Sequence, residues 1–323
     1  MYIVTGGAGM IGSALLWKLN SLGIDDILVV DNLGSSEKWK NLVNRRFSTY
    51  MPREIFLERV RDDALGRDIQ GIFHMGACSS TTERDVDFLF RNNLEYTKTL
   101  VNYALARGIR IVNASSAATY GNGAQGFDDD PDALGLLKPL NAYGYSKHLL
   151  DLWAKRTGTQ SSFVSLKFFN VYGPNEYHKG DMRSVVAKAF VQVKETGKVQ
   201  LFASDRREYA DGGQMRDFIY VKDCADVLWW LMRNPSVNGL FNLGTGRART
   251  WNDLVSALFK AMGKDVIVEY IPLPEHLKGK YQYFTEAAMD RLAATGCSVP
   301  FCDLEQGVAD YVTEYLDRED PYL

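Results

Sequence analysis

The chain opens on an apolar run, Tyr2 to Thr5, that leads directly into Gly6-Gly7-Ala8-Gly9-Met10-Ile11-Gly12. Ile11, Leu15, Leu16, Leu19 and Leu22 then recur at helical spacing, and Gly23 supplies a stop. A second apolar run, Ile27 to Val30, ends at Asp31. Strand, glycine turn, helix, strand and acid are the parts of the first βαβ unit of a dinucleotide-binding fold.

The alternation continues. Ile72-Phe73-His74 precedes Gly76, a helical pattern runs from about Asp85 to Arg107, and Ile109 to Asn113 leads into Ala114-Ser115-Ser116. A further helix is predicted from near Tyr143 to about Thr157, followed by a strand over Phe163 to Phe168. Strands separated by helices predict an α/β fold with a Rossmann-type, doubly wound parallel sheet. Past about residue 170 the pattern loosens, Pro272-Leu273-Pro274 marks a turn, and Leu304 to Leu316 reads as a closing helix. The expected plan is a dinucleotide domain over 1–170 and a smaller, mainly substrate-binding domain over 171–323. Segments of about 217–246 are expected to return to the first.

Composition narrows the classes. The apolar fraction is 46 % and the charged fraction 24 %, ordinary for a globular protein of 323 residues. Lys plus Arg number 37 against 40 Asp plus Glu, so nothing draws the chain to nucleic acid or to an anionic membrane. Cys78, Cys224, Cys297 and Cys302 form no Cys-x-x-Cys pair, and His74, His148, His178 and His276 are equally scattered. That spacing predicts reduced thiols and no metal site. With no apolar run of membrane-spanning length and no basic leader ahead of Gly6, the expected location is the cytoplasm.

Three sets of residues carry candidate chemistry. Gly6, Gly9 and Gly12 allow a tight turn and close approach of backbone to a pyrophosphate at a helix N-terminus. Asp31, 19 residues past Gly12, suits a ribose diol and so favours NAD. Lys38, Arg45, Arg46 and Arg53 lie downstream and could instead offset that carboxylate for a 2′-phosphate, which leaves NAD and NADP both open. Tyr143 and Lys147 are four residues apart in Tyr-Gly-Tyr-Ser-Lys, on one helical face, where an ammonium can lower a phenol's pKa towards neutrality. Tyr145 is out of register with that pair, and Ser116, at a strand end, is the expected third member, bonding a substrate hydroxyl or carbonyl. Trp229-Trp230 reads as helix core or subunit interface.

These motifs resemble the extended short-chain dehydrogenase/reductase family. The resemblance extends through Arg216-Asp217-Phe218-Ile219-Tyr220-Val221-x-Asp223-x-Ala225 and Asn242-Leu243-Gly244-Thr245-Gly246. Ser116 is followed by Ala117-Ala118-Thr119-Tyr120-Gly121 and not by the acid pair of sugar dehydratases. Phe73-His74-x-Gly76-Ala77-Cys78-Ser79-Ser80-Thr81-Thr82-Glu83, Phe169-Asn170-Val171-Tyr172-Gly173-Pro174, His178-Lys179-Gly180 and Leu277-Lys278-Gly279-x-Tyr281-Gln282-x-Phe284-Thr285 are similar to the ADP-heptose 6-epimerases.

That resemblance implies tightly held NADP, an ADP-heptose substrate, a role in forming the heptose precursor of lipopolysaccharide core, and a homo-oligomer, a pentamer among its forms. The cofactor contacts it implies, besides the glycines, are Met10, Ile11, Asp31, Asn32, Lys38, Arg53 and Asn92. Met75, Gly76, Ala77, Cys78, Ser79, Lys147, Val171 and Lys179 complete them. Cys78 is read as a packing residue and not a nucleophile. Ser116, Asn170, Phe202, Ala203, Ser204, Arg216 and Tyr281 match substrate positions, with Arg216 suited to a diphosphate. Asp181 and Lys188 stand where the family pattern has Ser and His, and the loop from Ser204 to Arg216 is longer. Lys179 matches a second acid/base beside Tyr143, and His178 reads as a packing residue. A UDP-hexose 4-epimerase would share Ser116, Tyr143 and Lys147 without needing Lys179. A dinucleotide-binding protein without turnover would need none of the four.

Overall fold

The computed structural model describes residues 1–66, 68–275 and 281–323. Seven strands form the main sheet: β1 (Tyr2–Thr5), β2 (Ile27–Asp31), β3 (Thr49–Pro52), β4 (Gly71–His74), β5 (Ile111–Ser116), β6 (Val164–Phe168) and β10 (Gly239–Leu243). Their order is β10-β6-β5-β4-β1-β2-β3 and every neighbouring pair is parallel. This is the doubly wound sheet that the alternation predicts. The order reverses between β1 and β4, which opens a crevice at their carboxyl ends.

Except in the edge strand β3, strand residues are buried on both faces, as a parallel sheet covered by helices requires. On one face Val4, Val29, Phe73, Val112 and Leu166 meet Leu15, Leu16 and Leu19 of α1 (Met10–Ser21) and Val227, Leu228 and Leu231 of a later helix, Val221–Arg233. On the other, Ile3, Leu28, Val30, Ile72 and Ile111 meet α2 (Arg53–Arg61) and the helix Tyr96–Ala106. Each such fully buried leucine or isoleucine contributes about 1.5–3 kcal/mol. Trp229 is half-buried and meets Tyr2 edge-on, ring centroids 5.8 Å apart.

The helix predicted over 85–107 is interrupted. It runs as α3 (Val86–Leu89), a π turn (Phe90–Glu95) and α4 (Tyr96–Ala106). The wider turn buries Asn92 and Asn93 together, which unbroken α-helical spacing would splay apart. Helix α5 (Ala142–Arg156) starts with Asn141 capping the Gly144 N–H at 2.8 Å.

The later part of the chain supplies two small sheets. Strands β7 (Asn170–Tyr172), β9 (Met215–Tyr220) and β11 (Ala248–Thr250) form one, in the order β11-β9-β7. Strands β8 (Val199–Phe202) and β12 (Val268–Ile271) pair as the other. Helices α6 (Val185–Thr196), α7 (Val221–Arg233), α8 (Trp251–Ala261), α9 (Asp290–Ala294) and α10 (Leu304–Tyr311) complete the chain, the last continuing as a π turn to Leu316. The segment 217–246 is thus shared: β9 lies in a small sheet, while α7 packs on α1 and β10 on β6. Asp217 ties these parts together, accepting from Thr245 N at 2.7 Å, Gly246 N at 2.9 Å and Ala287 N at 3.0 Å.

Behind β5, Lys167 and Asp151 are both fully buried, Nζ and Oδ2 3.8 Å apart. Lys167 also lies 4.2 Å from the Tyr120 ring centroid, and Ser115 Oγ donates to Asp151 at 3.0 Å. Removing one member of a buried pair strands the other charge. Asp151→Asn is therefore expected to lower unfolding free energy by about 3 kcal/mol in urea titration, and Lys167→Met added to it to recover most of that loss.

Candidate functional site

At the sheet's switch point β1 is followed by Gly6, in the left-handed region at φ 66°, where a Cβ would come within 2.7 Å of the Gly76 backbone. A Cβ on Gly12 would run into the Gly6 carbonyl. Helix α1 begins here with no side-chain cap and no acid in its first turn, so its positive end is left for an anion. A cleft of about 760 Å³ opens over it, lined by Gly6, Gly9, Met10, Ile11, Gly12, Asp31, Asn32, Lys38 and Arg53. Met75, Gly76, Ala77, Cys78, Ser79, Asn92, Lys147, Val171 and Lys179 continue the wall.

Asp31 is buried and partly satisfied. Oδ2 accepts from Ala8 N at 2.8 Å, which pins the glycine turn, and Oδ1 accepts from Asn32 N at 2.6 Å and Lys38 Nζ at 2.5 Å. Arg53 bonds the side chain of Asn92 from the π turn. Lys38 and Arg53 thus face the cleft, whereas Arg46 pairs with Asp25 at 3.0 Å and neither it nor Arg45 lines the wall.

Ser116, Tyr143 and Lys147 meet along the cleft. Burial raises the Tyr143 phenol above its ordinary value, and its hydrogen bond with Ser116 works against that rise. The expected lowering by Lys147 is not what governs the phenol. The Lys147 ammonium is itself buried and donates to the Ala114 carbonyl at 2.6 Å. Its pKa falls to about 8 through desolvation, partly held up by Asp151. Tyr145 points out, 45 % exposed. The Cys78 backbone is clamped at both polar atoms by Asn93, whose amide also donates to Ser146 Oγ at 3.0 Å. Burial pushes the Cys78 thiol up, consistent with packing and not nucleophilic attack.

The facing wall carries Asn170, Val171, His178 and Lys179. Lys179 Nζ lies 3.0 Å from Met10 Sδ, and burial lowers its pKa while Glu176 raises it. His178, read above as packing, lines the cleft; Nδ1 sits 3.3 Å from Asn41 Nδ2, and burial beside Lys179 and Lys38 brings its pKa to about 4. Phe218, Trp251 and Arg183 also line it and were not singled out from sequence. The signal for His178 was its place beside Lys179; Trp251 opens α8 directly after β11, a strand-to-helix junction that periodicity does not mark.

The other substrate positions lie off this wall. Both terminal nitrogens of Arg216 donate to backbone carbonyls, Met215 O at 2.8 Å and Gln282 O. The guanidinium is buried, 5.3 Å from the Tyr281 ring centroid and 5.7 Å from that of Trp251. Each terminal nitrogen of the fork thus gives one donor to a backbone carbonyl, and Arg216 is not among the residues that line the cleft. Phe202 meets Tyr281 edge-on at 6.2 Å, and Trp251 Nε1 donates to the Tyr281 hydroxyl at 3.0 Å, so this aromatic group backs the cleft through Trp251. The Ser204 hydroxyl closes on Arg206 O at 2.8 Å next to Ala203, away from the cleft lining. Lys188 and Asp181 meet each other, Nζ to the Asp181 carbonyl at 3.3 Å, and neither lines the cleft. His276, Leu277, Lys278 and Gly279 lie outside the described residues.

Residues 2–244 match the NAD dependent epimerase/dehydratase family. The chain is 61 % identical over 323 residues to the ADP-L-glycero-D-manno-heptose-6-epimerase of Nitratidesulfovibrio vulgaris strain DP4, covering 100 % of both chains. It is 47 % identical over 332 residues to the enzyme of that name from Fusobacterium nucleatum, again with full coverage of both. A crystal structure of the Helicobacter pylori ADP-L-glycero-D-manno-heptose-6-epimerase superposes with a TM-score of 0.81 at 27 % identity, covering 97 % of this chain and 95 % of that one. No helix among the described residues is long and apolar enough to cross a membrane.

The electrostatics of the site are open to direct test. With lysine side chains labelled for NMR, the Lys147 ammonium is expected to titrate near pH 8. Asp151→Asn, which removes the anion holding it up, is expected to move that midpoint lower.

Proposed function

Because the chain belongs to the NAD dependent epimerase/dehydratase family and is an epimerase, we propose that it converts ADP-D-glycero-β-D-manno-heptose to the L-glycero epimer at C-6″. The names of its full-length relatives support the substrate. The observation that carries the chemistry is that two proton-handling groups, Tyr143 on α5 and Lys179 on the turn after β7, line one cleft.

The cleft suits a nicotinamide dinucleotide. Gly6 and Gly12 leave bare backbone where a side chain would collide, and the uncapped N-terminus of α1 is favourable to a pyrophosphate. Asp31 with Lys38 bound to it, and Arg53 just past the end of the neighbouring strand β3, suit an adenosine ribose bearing a 2′-phosphate, so NADP is preferred over NAD. When bound, the nicotinamide accepts a hydride from C-6″ and returns it, which removes the obstacle that this C–H bond is not acidic.

The protein's own groups handle the oxygen. Ser116, bonded to the Tyr143 phenol, holds the 6″-oxygen, and Tyr143 exchanges its proton in one orientation of the sugar. After the planar ketone turns its other face, Lys179 serves as the acid or base on the new side. A UDP-hexose 4-epimerase needs no such second group. We also assign the chain to the supply of the heptose precursor for lipopolysaccharide core and to a homo-oligomer. Residues 1–170, with parts of 217–246, form the dinucleotide domain, and 171–323 mainly the substrate domain.

The test is to incubate the purified protein with the D-glycero ADP-heptose, without added cofactor, and to follow the C-6″ signals by NMR. Conversion is expected, with NADP released on denaturation. Tyr143→Phe and Lys179→Met are each expected to lower kcat by about a hundredfold or more. No conversion after reloading with NADP, or full activity in both variants, would overturn the assignment.

A further inference from the structure

Lys179 sits in a short 3-10 turn, Tyr177–Met182, whose base is closed by a buried acid. Glu176 is 1 % exposed, and its carboxylate accepts from the Ser184 backbone N–H, from Ser184 Oγ at 2.6 Å and from the Tyr311 hydroxyl at 3.0 Å. These bonds join the two ends of the segment 176–184 to each other and to α10. The Lys179 N–H donates to the Glu176 carbonyl at 3.0 Å, so the same residue also fixes the backbone of the lysine.

The residue before it is equally constrained. Asn175 is fully buried and holds a left-handed backbone at φ 69°, uncommon for a residue with a side chain. Its side chain donates to Ser13 Oγ in α1 at 2.9 Å, and its carbonyl accepts from Asn41 Nδ2 at 2.9 Å. The loop is thus built from a strained, anchored entry and an ionic clasp, with Lys179 at its far side against Met10. A surface loop has no need of a buried carboxylate with three donors; a loop that must hold one ammonium at a fixed point does.

We infer that Glu176 is a positioning residue for Lys179: its clasp on Ser184 and Tyr311 fixes the loop that presents the lysine to the cleft, and its charge stabilises the ammonium. The inference rests on the reading of Lys179 as the second acid/base. The charged and titratable groups around the pair are Tyr177 and Tyr311 beside Glu176, and His178 beside Lys179. Glu176 opposes the desolvation of Lys179, so replacing it with a neutral residue lowers the lysine's proton affinity.

The experiment compares Glu176→Gln, Ser184→Ala and Lys179→Met in the NADP-loaded enzyme, measuring kcat and KM against pH from each epimer, with thermal midpoints. Glu176→Gln is expected to lower kcat by about tenfold with KM little changed, and to move the ionisation lost in Lys179→Met to lower pH. Ser184→Ala, which keeps the charge but loosens the clasp, is expected to lower kcat while leaving that ionisation in place. Should Glu176→Gln fail to fold, the kcat loss in Ser184→Ala at an unchanged thermal midpoint still supports the inference, and unchanged kcat overturns it. A fall in thermal midpoint alone, with kcat and the pH profile unmoved in both, would make Glu176 merely structural. Full activity in Lys179→Met would instead overturn the role of Lys179 itself.

Discussion

The close approach of two backbones, Gly6 after β1 and Gly76 after β4, sets where the rest of the site lies. A side chain at Gly6 would enter the Gly76 backbone, so these adjacent strand ends stay bare and α1 starts directly above them. Everything that faces the cleft is placed relative to that point. Asp31 pins the turn through the Ala8 N–H, Asn93 clamps the loop at Cys78, and Met10, in the first turn of α1, meets the Lys179 ammonium. The parallel sheet beneath supplies the rigidity, since both of its faces are covered by helices.

The polar groups of the cleft are moved by burial, and in opposite senses. Tyr143 is raised, while Lys147 and Lys179 are lowered. Each shift favours the neutral form, so a phenol and an amine that have similar proton affinities in water are drawn apart, the phenol becoming the weaker acid and the ammonium the stronger one. The acids that oppose the shifts, Asp151 for Lys147 and Glu176 for Lys179, are buried one layer out and keep the ammonium forms accessible.

The order of strands and helices was legible because short continuous apolar runs alternate with segments of helical spacing, with glycines between them. The glycine turn, Asp31, Ser116, Tyr143 and Lys147 were legible because their spacing has a geometric reason. The π turn at 90–95 was not, since Asn92 and Asn93 carry no periodic signal and matter only through what they bond. Arg216 shows a different limit. Its residue type suits a diphosphate, yet two of its five N–H donors go to carbonyls brought near by β9 and the segment after 280, a tertiary juxtaposition no motif encodes. His178 and Trp251 reach the cleft for the same reason, through tertiary bonds, His178 beside Asn41 and Trp251 at the start of α8 with Tyr281.

The central claim is that the hydrogen at C-6″ leaves and returns within one closed cleft, while Tyr143 and Lys179 exchange only the proton on oxygen. The most direct measurement is to run the epimerisation in D₂O and read deuterium at C-6″ of the product by NMR and mass spectrometry. Hydride return predicts product that carries no solvent deuterium at that carbon over many turnovers. Incorporation of one deuterium per inversion would show proton abstraction from carbon and would contradict the account.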